Sequence, residues 1–225
     1  MIDITILMPC LNEAGNIAFC IDQAQNYINS RKLSGEILVV DNDSTDRSAE
    51  IALRHGARVI REHRRGYGRT LRTGLTAASG DVIIFGDCDS TYDFSNLDLI
   101  YTPLAENKVD FITGDRFGGK MEAGAMSWSH KLGVPFLSWC GRMKFRVKIH
   151  DWHCGIRGIR KDALHKLNLN TDGMEFATEM IAEASRKGLR IGEVSVSLKQ
   201  AQNERKEKLR TIRDGVRHLW YIIRA

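Results

Sequence analysis

Apolar and polar positions divide the chain into short runs before any chemistry is considered. Ile4-Thr5-Ile6-Leu7-Met8 is an apolar, β-branched run stopped by Pro9, which predicts a buried strand. Asn12 is placed to cap a helix running to about Ile28. Ile37 to Val40 repeats the strand pattern and ends at Asp41. Ser44 then caps a helix with Ile51 and Leu53 on its apolar side, and Gly56 lies just past its end. Val59-Ile60 is a short third strand. Gly68 to Ala78 reads as a helix closed by Gly80, and Val82 to Phe85 as a fourth strand ending at Asp87. A helix around Asn96–Glu106 and a strand at Asp110–Thr113 follow.

Strands alternating with helices at this spacing predict an α/β fold with a mostly parallel, doubly wound sheet. Such sheets bind ligands beyond the carboxyl ends of their strands. The polar clusters Asn12-Glu13, Asp41-Asn42-Asp43 and Asp87-Cys88-Asp89 fall at those ends. From Gly114 to Arg160 the periodicity weakens among glycines, tryptophans and basic residues. Helix resumes near Glu175–Lys187, and Ile191–Leu198 alternates as a strand. In the tail, Leu209, Ile212, Val216, Leu219 and Ile223 mark one face of an amphipathic helix, with Arg210, Arg213 and Arg217 on its other faces. No repeat or linker interrupts the chain, so a single domain over 1–208 and a basic helix over 209–225 are expected.

Composition narrows the function. Of 225 residues, 43% are apolar and three are proline, which excludes a disordered or collagen-like chain. No apolar run reaches the length of a membrane span, and no basic stretch precedes an apolar one at the N-terminus. The five cysteines are scattered, with no CxxC pair, so a reduced, cytoplasmic protein is expected. The net charge is +5. From Lys199 onward there are eight Lys/Arg and three acids, so the tail holds all of it. A neutral body with a basic end argues against a nucleic-acid-binding domain and for contact with an anionic surface at one end.

Three clusters carry candidate chemistry. Asp87 and Asp89, at i and i+2 past a buried strand, are placed to share a hard divalent ion such as Mg²⁺ or Mn²⁺ with the phosphates of a substrate. Strand-end acids capping a turn account for the same spacing. In Asp41-Asn42-Asp43-Ser44, a turn and helix cap explain Asp43 and Ser44 but leave Asp41 for a nucleobase or ribose. Arg64-Arg65-Gly66-Tyr67-Gly68 is a Gly-rich turn entering a helix, which offers amides and guanidinium groups to an anion. It lacks the Gly-Lys-Ser/Thr of a P-loop, and a solvated basic loop is the competing account. His153 and Cys154 have no second cluster to complete a zinc site.

The order of these segments resembles the family 2 glycosyltransferases with the GT-A fold, within them the dolichyl-phosphate mannose synthases and bacterial polyprenyl-phosphate sugar transferases. The carrying segments are Met8 to Glu13, Val40 to Asp46, Gly66 to Gly68, Gly80-Asp81 and Asp87 to Asp93. Gly114 to Phe117, Cys154 to Arg157 and Glu175-Phe176 with Glu179 sit where later segments of that group fall. The resemblance implies that Pro9, Asn12 and Glu13 line a nucleotide pocket and that Asp41 contacts the base, with Asp43 also at the nucleotide-sugar site. It places Arg65, Gly66 and Gly68 near the ribose and diphosphate. Asp87, Cys88 and Asp89 would lie at the sugar-nucleotide, with Asp87 and Asp89 as metal ligands. Two departures stand out: Asn42 replaces an Asp often found there, and no transmembrane helices follow the domain before Ala225.

The implied reaction moves a hexose from a UDP- or GDP-linked donor to an acceptor. A polyprenyl phosphate acceptor is already anionic and needs cationic guidance, for which Arg116, Arg157 and the basic tail are candidates. A hydroxyl acceptor needs a base, for which Asp151, Glu175 or Glu179 are candidates. Trp152 is expected as a sugar-stacking platform. The protein would work in the cytoplasm, with its C-terminal helix peripheral on the inner membrane face. A soluble hydroxyl or nucleotide-sugar acceptor, and a non-catalytic sugar-nucleotide-binding module, are the alternatives.

Overall fold

The computed structural model describes residues 2–200 and 211–225, and of residues 211 and 212 the backbone alone. The expectations placed on Leu209, Arg210 and the side chain of Ile212 lie outside that description. Seven strands form one sheet: β1 (Ile4–Cys10), β2 (Gly35–Asp41), β3 (Arg58–Arg61), β4 (Val82–Phe85), β5 (Phe111–Asp115), β6 (Arg157–Arg160) and β7 (Ile191–Ser195). Their order is β3-β2-β1-β4-β6-β5-β7. Pairing is parallel except where β6 inserts between β4 and β5 and runs against both. The helices are α1 (Ile17–Ser30), α2 (Ser48–Arg54), α3 (Tyr67–Ala77), α4 (Asp98–Ala105), α5 (Trp128–Phe145), α6 (Lys161–Leu164), α7 (Phe176–Arg186) and α8 (Thr211–Arg224).

β1 is the central strand, and its alternation divides the core. Ile4, Ile6 and Met8 pack with α1, while Leu7 packs with α3 and α7 on the other face. Both faces are covered, as a parallel strand requires. The chain winds from β1 outward to β2 and β3, then returns to lay β4 on the other side of β1. That reversal opens a crevice at the carboxyl ends of β1 and β4.

Pro9 does not stop β1, as expected, but lies inside it, opposite Val40. Leu7 is the last residue of β1 paired with β4, so the missing Pro9 N–H faces a side where that ladder has already ended. Asn12 caps no helix. It adopts a left-handed conformation (φ 54°), its backbone N–H donates to Ser44 Oγ at 2.9 Å, and its side-chain carbonyl accepts from Thr45 N at 2.8 Å. The two expected caps therefore tie their loops to each other, and α1 and α2 begin at Ile17 and Ser48 instead.

The stretch that looked irregular contains α5, the longest helix among the described residues. It buries small residues, Val134, Ser138 and Gly141, and leaves its large ones outside. A Cβ on Gly141 would lie 2.8 Å from the Trp152 ring, so the helix approaches that indole as closely as glycine allows. Trp152 is fully buried, with its Nε1–H donating to Ile149 O at 3.1 Å. It is a core residue, not the expected sugar platform. α8 packs against α5 and α7. It buries His218 and Ile222 and leaves Val216 and Ile223, two residues of the apolar face read from its sequence, exposed.

Candidate active site

A cleft of about 800 Å³ opens at the crevice. Its floor carries Pro9, Cys10, Asp87 and Asp89 from the ends of β1 and β4. One wall is the turn into α3, with Arg65, Gly66 and Tyr67. Arg116, His130, His153 and Arg157 come from the later half of the chain, and Arg213, Asp214 and Arg217 from α8.

Asp87 and Asp89 share the cleft with Cys88 between them. Asp89 is buried and accepts from Thr91 N at 3.2 Å and Thr91 Oγ1 at 2.5 Å. Asp87 is hydrogen-bonded to the buried Tyr67 hydroxyl, whose pKa is pushed well up by burial and then by that carboxylate. A Cβ on Gly155 would lie 2.5 Å from Asp87 Oδ2, so the missing side chain keeps space at that oxygen. Two hard carboxylates facing one cleft, with room left at one of them, fit a divalent cation. Cys88 donates to Pro9 O at 3.2 Å, and its neighbour Cys10 and burial push its thiol up, as burial pushes Cys154 to about 12. Both stay protonated and are packing groups.

Among the described residues, one other group of acids and histidine comes within ligand distance: Asp115, His150 and Glu193. None of the three lines the cleft. Glu193 is held by His150 Nδ1 at 2.7 Å and by the backbone amides of His150 and Asp151.

The Gly-rich turn is built differently from the expected anion cradle. Its Gly66 N–H donates to Asn42 Oδ1 at 3.0 Å, and Arg69 N–H donates to Asp172 O at 3.3 Å. A Cβ on Gly68 would lie 2.6 Å from Thr171 O and 2.7 Å from Phe176 Cβ. Gly68 therefore serves the packing of α3 on the 171–173 loop and does not line the cleft. Asp172 fixes the same contact through ion pairs with Arg69 and Arg72. Asn42 holds the turn from below, donating to Glu62 O and Arg64 O at 2.8 and 3.0 Å. An aspartate there could make neither bond.

The remaining expected residues divide clearly. Glu13 lines the cleft. Asp41 is buried behind it, accepting from Ser44 N at 3.3 Å through one oxygen, while its Oδ1 has no hydrogen-bond partner. Asn12 and Asp43 lie outside the cleft lining. Asp43 is exposed beside Arg65, whose Nη2 donates to its carbonyl at 2.8 Å.

Asp151 cannot serve as a free base. It is fully buried and grips Arg116 with both oxygens, at 2.6 and 2.9 Å. Burial would lower the Arg116 pKa, but Tyr92 and Asp151 outweigh it and hold the guanidinium charged. Glu179 lies outside the cleft lining and accepts from Asn170 N, Thr171 N and Thr171 Oγ1. Glu175 accepts from Arg217 at 2.6 Å. Arg157 lines the cleft, yet its donors go to the carbonyls of Cys154, Ala177 and Trp152. It braces the wall.

The sequence did not reveal the bond from Tyr67 to Asp87 or the pairing of His153 with His218. His153 and His218 meet edge to face at 4.4 Å. The Thr178 hydroxyl stands between them, 3.3 Å from His153 Nε2 and 2.7 Å from His218 Nδ1. Burial depresses both imidazoles, His218 to about 3, and each remains neutral.

A doubly wound sheet with an acidic pair at its switch point and cations facing it defines an α/β enzyme with the GT-A fold. The chain belongs to glycosyl transferase family 2, which it matches over residues 5–167. It is similar to the low-salt glycan biosynthesis hexosyltransferase of Haloferax volcanii, with 34% identity over 98% of this chain and 53% of that protein. The chain thus spans about half the length of that relative. The dolichyl-phosphate hexose transferase of the same organism is 26% identical over 91% of this chain and 86% of its own length. Among solved structures, glucosyl-3-phosphoglycerate synthase of Mycobacterium tuberculosis, in complex with Mn²⁺, UDP and glucosyl-3-phosphoglycerate, superposes with a TM-score of 0.75. Its identity to this chain is 22%, over 98% of this chain and 80% of its own.

Proposed function

We propose that the protein transfers a hexose from a nucleoside-diphosphate sugar to a polyprenyl phosphate, with Mg²⁺ or Mn²⁺ held by Asp87 and Asp89. The observation that carries this reading is the state of the expected bases. Asp151 and Glu179 are engaged through both oxygens with a cation or with the 170–171 loop. Glu175, outside the cleft lining, meets Arg217 through one oxygen while its Oε2 has no hydrogen-bond partner. A hydroxyl acceptor needs a base within hydrogen-bond reach; a phosphate acceptor does not. Cations are what such an acceptor needs, and Arg213 and Arg217 reach the cleft from α8. The dolichyl-phosphate hexose transferase among the relatives supports the same acceptor class.

A divalent cation, when bound, offsets the charge that grows on the departing diphosphate. The rest of the work falls to the chain. Arg65 lies at the cleft edge for the donor phosphates. Asp41, buried behind the cleft with one unpartnered oxygen, is the candidate acceptor for an N–H of the base. Arg116, fixed by Asp151, presents a charge that cannot titrate away.

A soluble acceptor is the second reading. Glucosyl-3-phosphoglycerate synthase, a fold neighbour, is crystallised with such a product. A sugar-nucleotide-binding module without turnover is the third.

Calorimetry with UDP and GDP, each with Mn²⁺ and with EDTA, tests the donor site on wild type and Asp89→Ala. Metal-dependent binding of one nucleotide, lost in the variant, is expected. Equal binding in EDTA would remove the metal from Asp87 and Asp89. Radiolabelled sugar appearing in a polyprenyl phosphate product, and not on a soluble acceptor, separates the first reading from the second. Binding without turnover would leave the third.

A further inference from the structure

Two neighbouring helices turn the wrong side outward. On α5, Trp128, Leu132, Phe136, Trp139 and Met143 are 53–76% exposed. At ~100° per residue they fall within an arc of about 80°. The buried Val134, Ser138 and Gly141 lie on the opposite side of the same helix. On α8, Val216, Trp220 and Ile223 are 55–61% exposed, again opposite the buried His218 and Ile222. The two helices pack on each other, and Lys144 Nζ donates to Ile223 O at 3.4 Å across the seam. Single exposed apolar residues are ordinary, but eight large ones on adjoining helix faces are not.

The charge around this surface is one-sided. Residues 123–150 contain five Lys/Arg and no acid, within a body that is neutral up to residue 198. Lys131, Lys144, Arg146 and Lys148 are exposed on or just beyond α5, and Arg224 is exposed on α8 with its guanidinium 4.5 Å from the Trp220 ring centre. In a symmetric dimer through this face, the cationic stretch would meet its own copy. An anionic partner answers both properties at once.

We propose that the outward faces of α5 and α8 form one docking surface for an anionic lipid bilayer, lying flat at the headgroup level. Aromatic side chains with a basic fringe suit that depth. The same helices reach the cleft, α5 through His130 and the adjoining Ser127, and α8 through Arg213 and Arg217. Both helices therefore border the exposed apolar surface and the cleft at once. The proposal deepens the lipid-acceptor reading and rests on it for what enters the cleft. It goes beyond the expected C-terminal helix, because α5 supplies most of the surface.

The test is co-sedimentation with vesicles of phosphatidylcholine alone and of phosphatidylcholine with 30% phosphatidylglycerol, neither containing polyprenyl lipid. Three of the four tryptophans lie on the surface and Trp152 is buried, so intrinsic fluorescence reports contact directly. Wild type is expected to bind the anionic vesicles, with a blue shift and quenching by brominated lipid, and to release as salt rises. The double variant Trp139→Glu/Trp220→Glu should retain its circular dichroism and melting transition, because both positions are exposed. Its partitioning should fall ~10-fold or more. Wild type left in the supernatant, or a variant that binds equally well, overturns the proposal. So does a dimer by light scattering that the same variant dissolves without any vesicle binding. Vesicle binding by a protein that glycosylates only soluble acceptors would keep the surface and sink the acceptor reading.

Discussion

Replacing Asp151 separates a structural carboxylate from a catalytic one. Asp151 is fully buried and holds Arg116 through two hydrogen bonds of 2.6 and 2.9 Å, while Arg116 is itself only 13% exposed at its side chain. Asp151→Asn keeps the volume and removes the charge, leaving a buried guanidinium without its counterion. Stranding one member of such a pair costs about 3–5 kcal/mol. For a chain of this size each kcal/mol moves the midpoint by roughly 2–4 °C, so a fall of about 6–12 °C is a conservative expectation. Differential scanning fluorimetry and urea titration at neutral pH read the loss. Turnover per folded molecule, measured well below the transition, should fall by less than about tenfold. A general base would behave in the opposite way, with stability kept and turnover down by about 10²–10⁴-fold. That second pattern would refute the assignment of Asp151 as the partner of Arg116. The paired change Arg116→Met/Asp151→Leu should recover most of the lost stability, since apolar replacement of a whole buried pair is often neutral.

Three further outcomes follow from the geometry. Asn42→Asp removes the donors to Glu62 O and Arg64 O, so protease cleavage in residues 62–66 should rise and donor affinity should drop by about 1–3 kcal/mol. Gly68→Ala drives a methyl group into Thr171 O and the Phe176 side chain, so it should destabilise by about 1–3 kcal/mol in urea. His218 is held near pKa 3 in the folded chain against 6.5 unfolded, so only the unfolded chain takes up its proton between those values. Stability should therefore be full above pH 6.5 and fall as pH drops toward 3, by at most about 1.4 kcal/mol per unit for this group. His218→Phe should flatten that slope between pH 6 and 4.5, and an unchanged slope would show that other groups carry it.

The first half of the fold was legible because its strands are buried on both faces and its helices on one. Runs such as Ile37–Val40 and Val82–Phe85 have no other reading. α5 escaped because its large residues face outward and its buried line is small, so the pattern gave no apolar side to assign to the core. β6 escaped because four residues with an arginine at each end do not look like a strand; pairing on both edges makes it one. At the site, Asp87 and Asp89 were visible from spacing past a strand. The partners that decide what a side chain does were not. Asp151, Glu179 and Arg157 are all polar residues in suggestive segments, and only long-range packing reveals that Arg116, the 170–171 loop and three carbonyls occupy them. Arg213 and Arg217 belong to a basic tail whose sequence suits either an anionic surface or a phosphate acceptor, and only the packing of α8, with His218 edge to face on His153, shows that they line the cleft.

The thiols have a practical consequence. Cys10, Cys20, Cys88 and Cys154 are buried, and burial raises Cys20 and Cys154 to about 12. Cys140 is the one cysteine of five that reaches solvent, and it follows Trp139 along α5. An alkylating reagent applied to the native protein therefore finds a single address. A spin label or environment-sensitive dye placed there needs no background cysteines removed. It sits at the border of the apolar stripe, where it would report the polarity of whatever comes to lie against the helix.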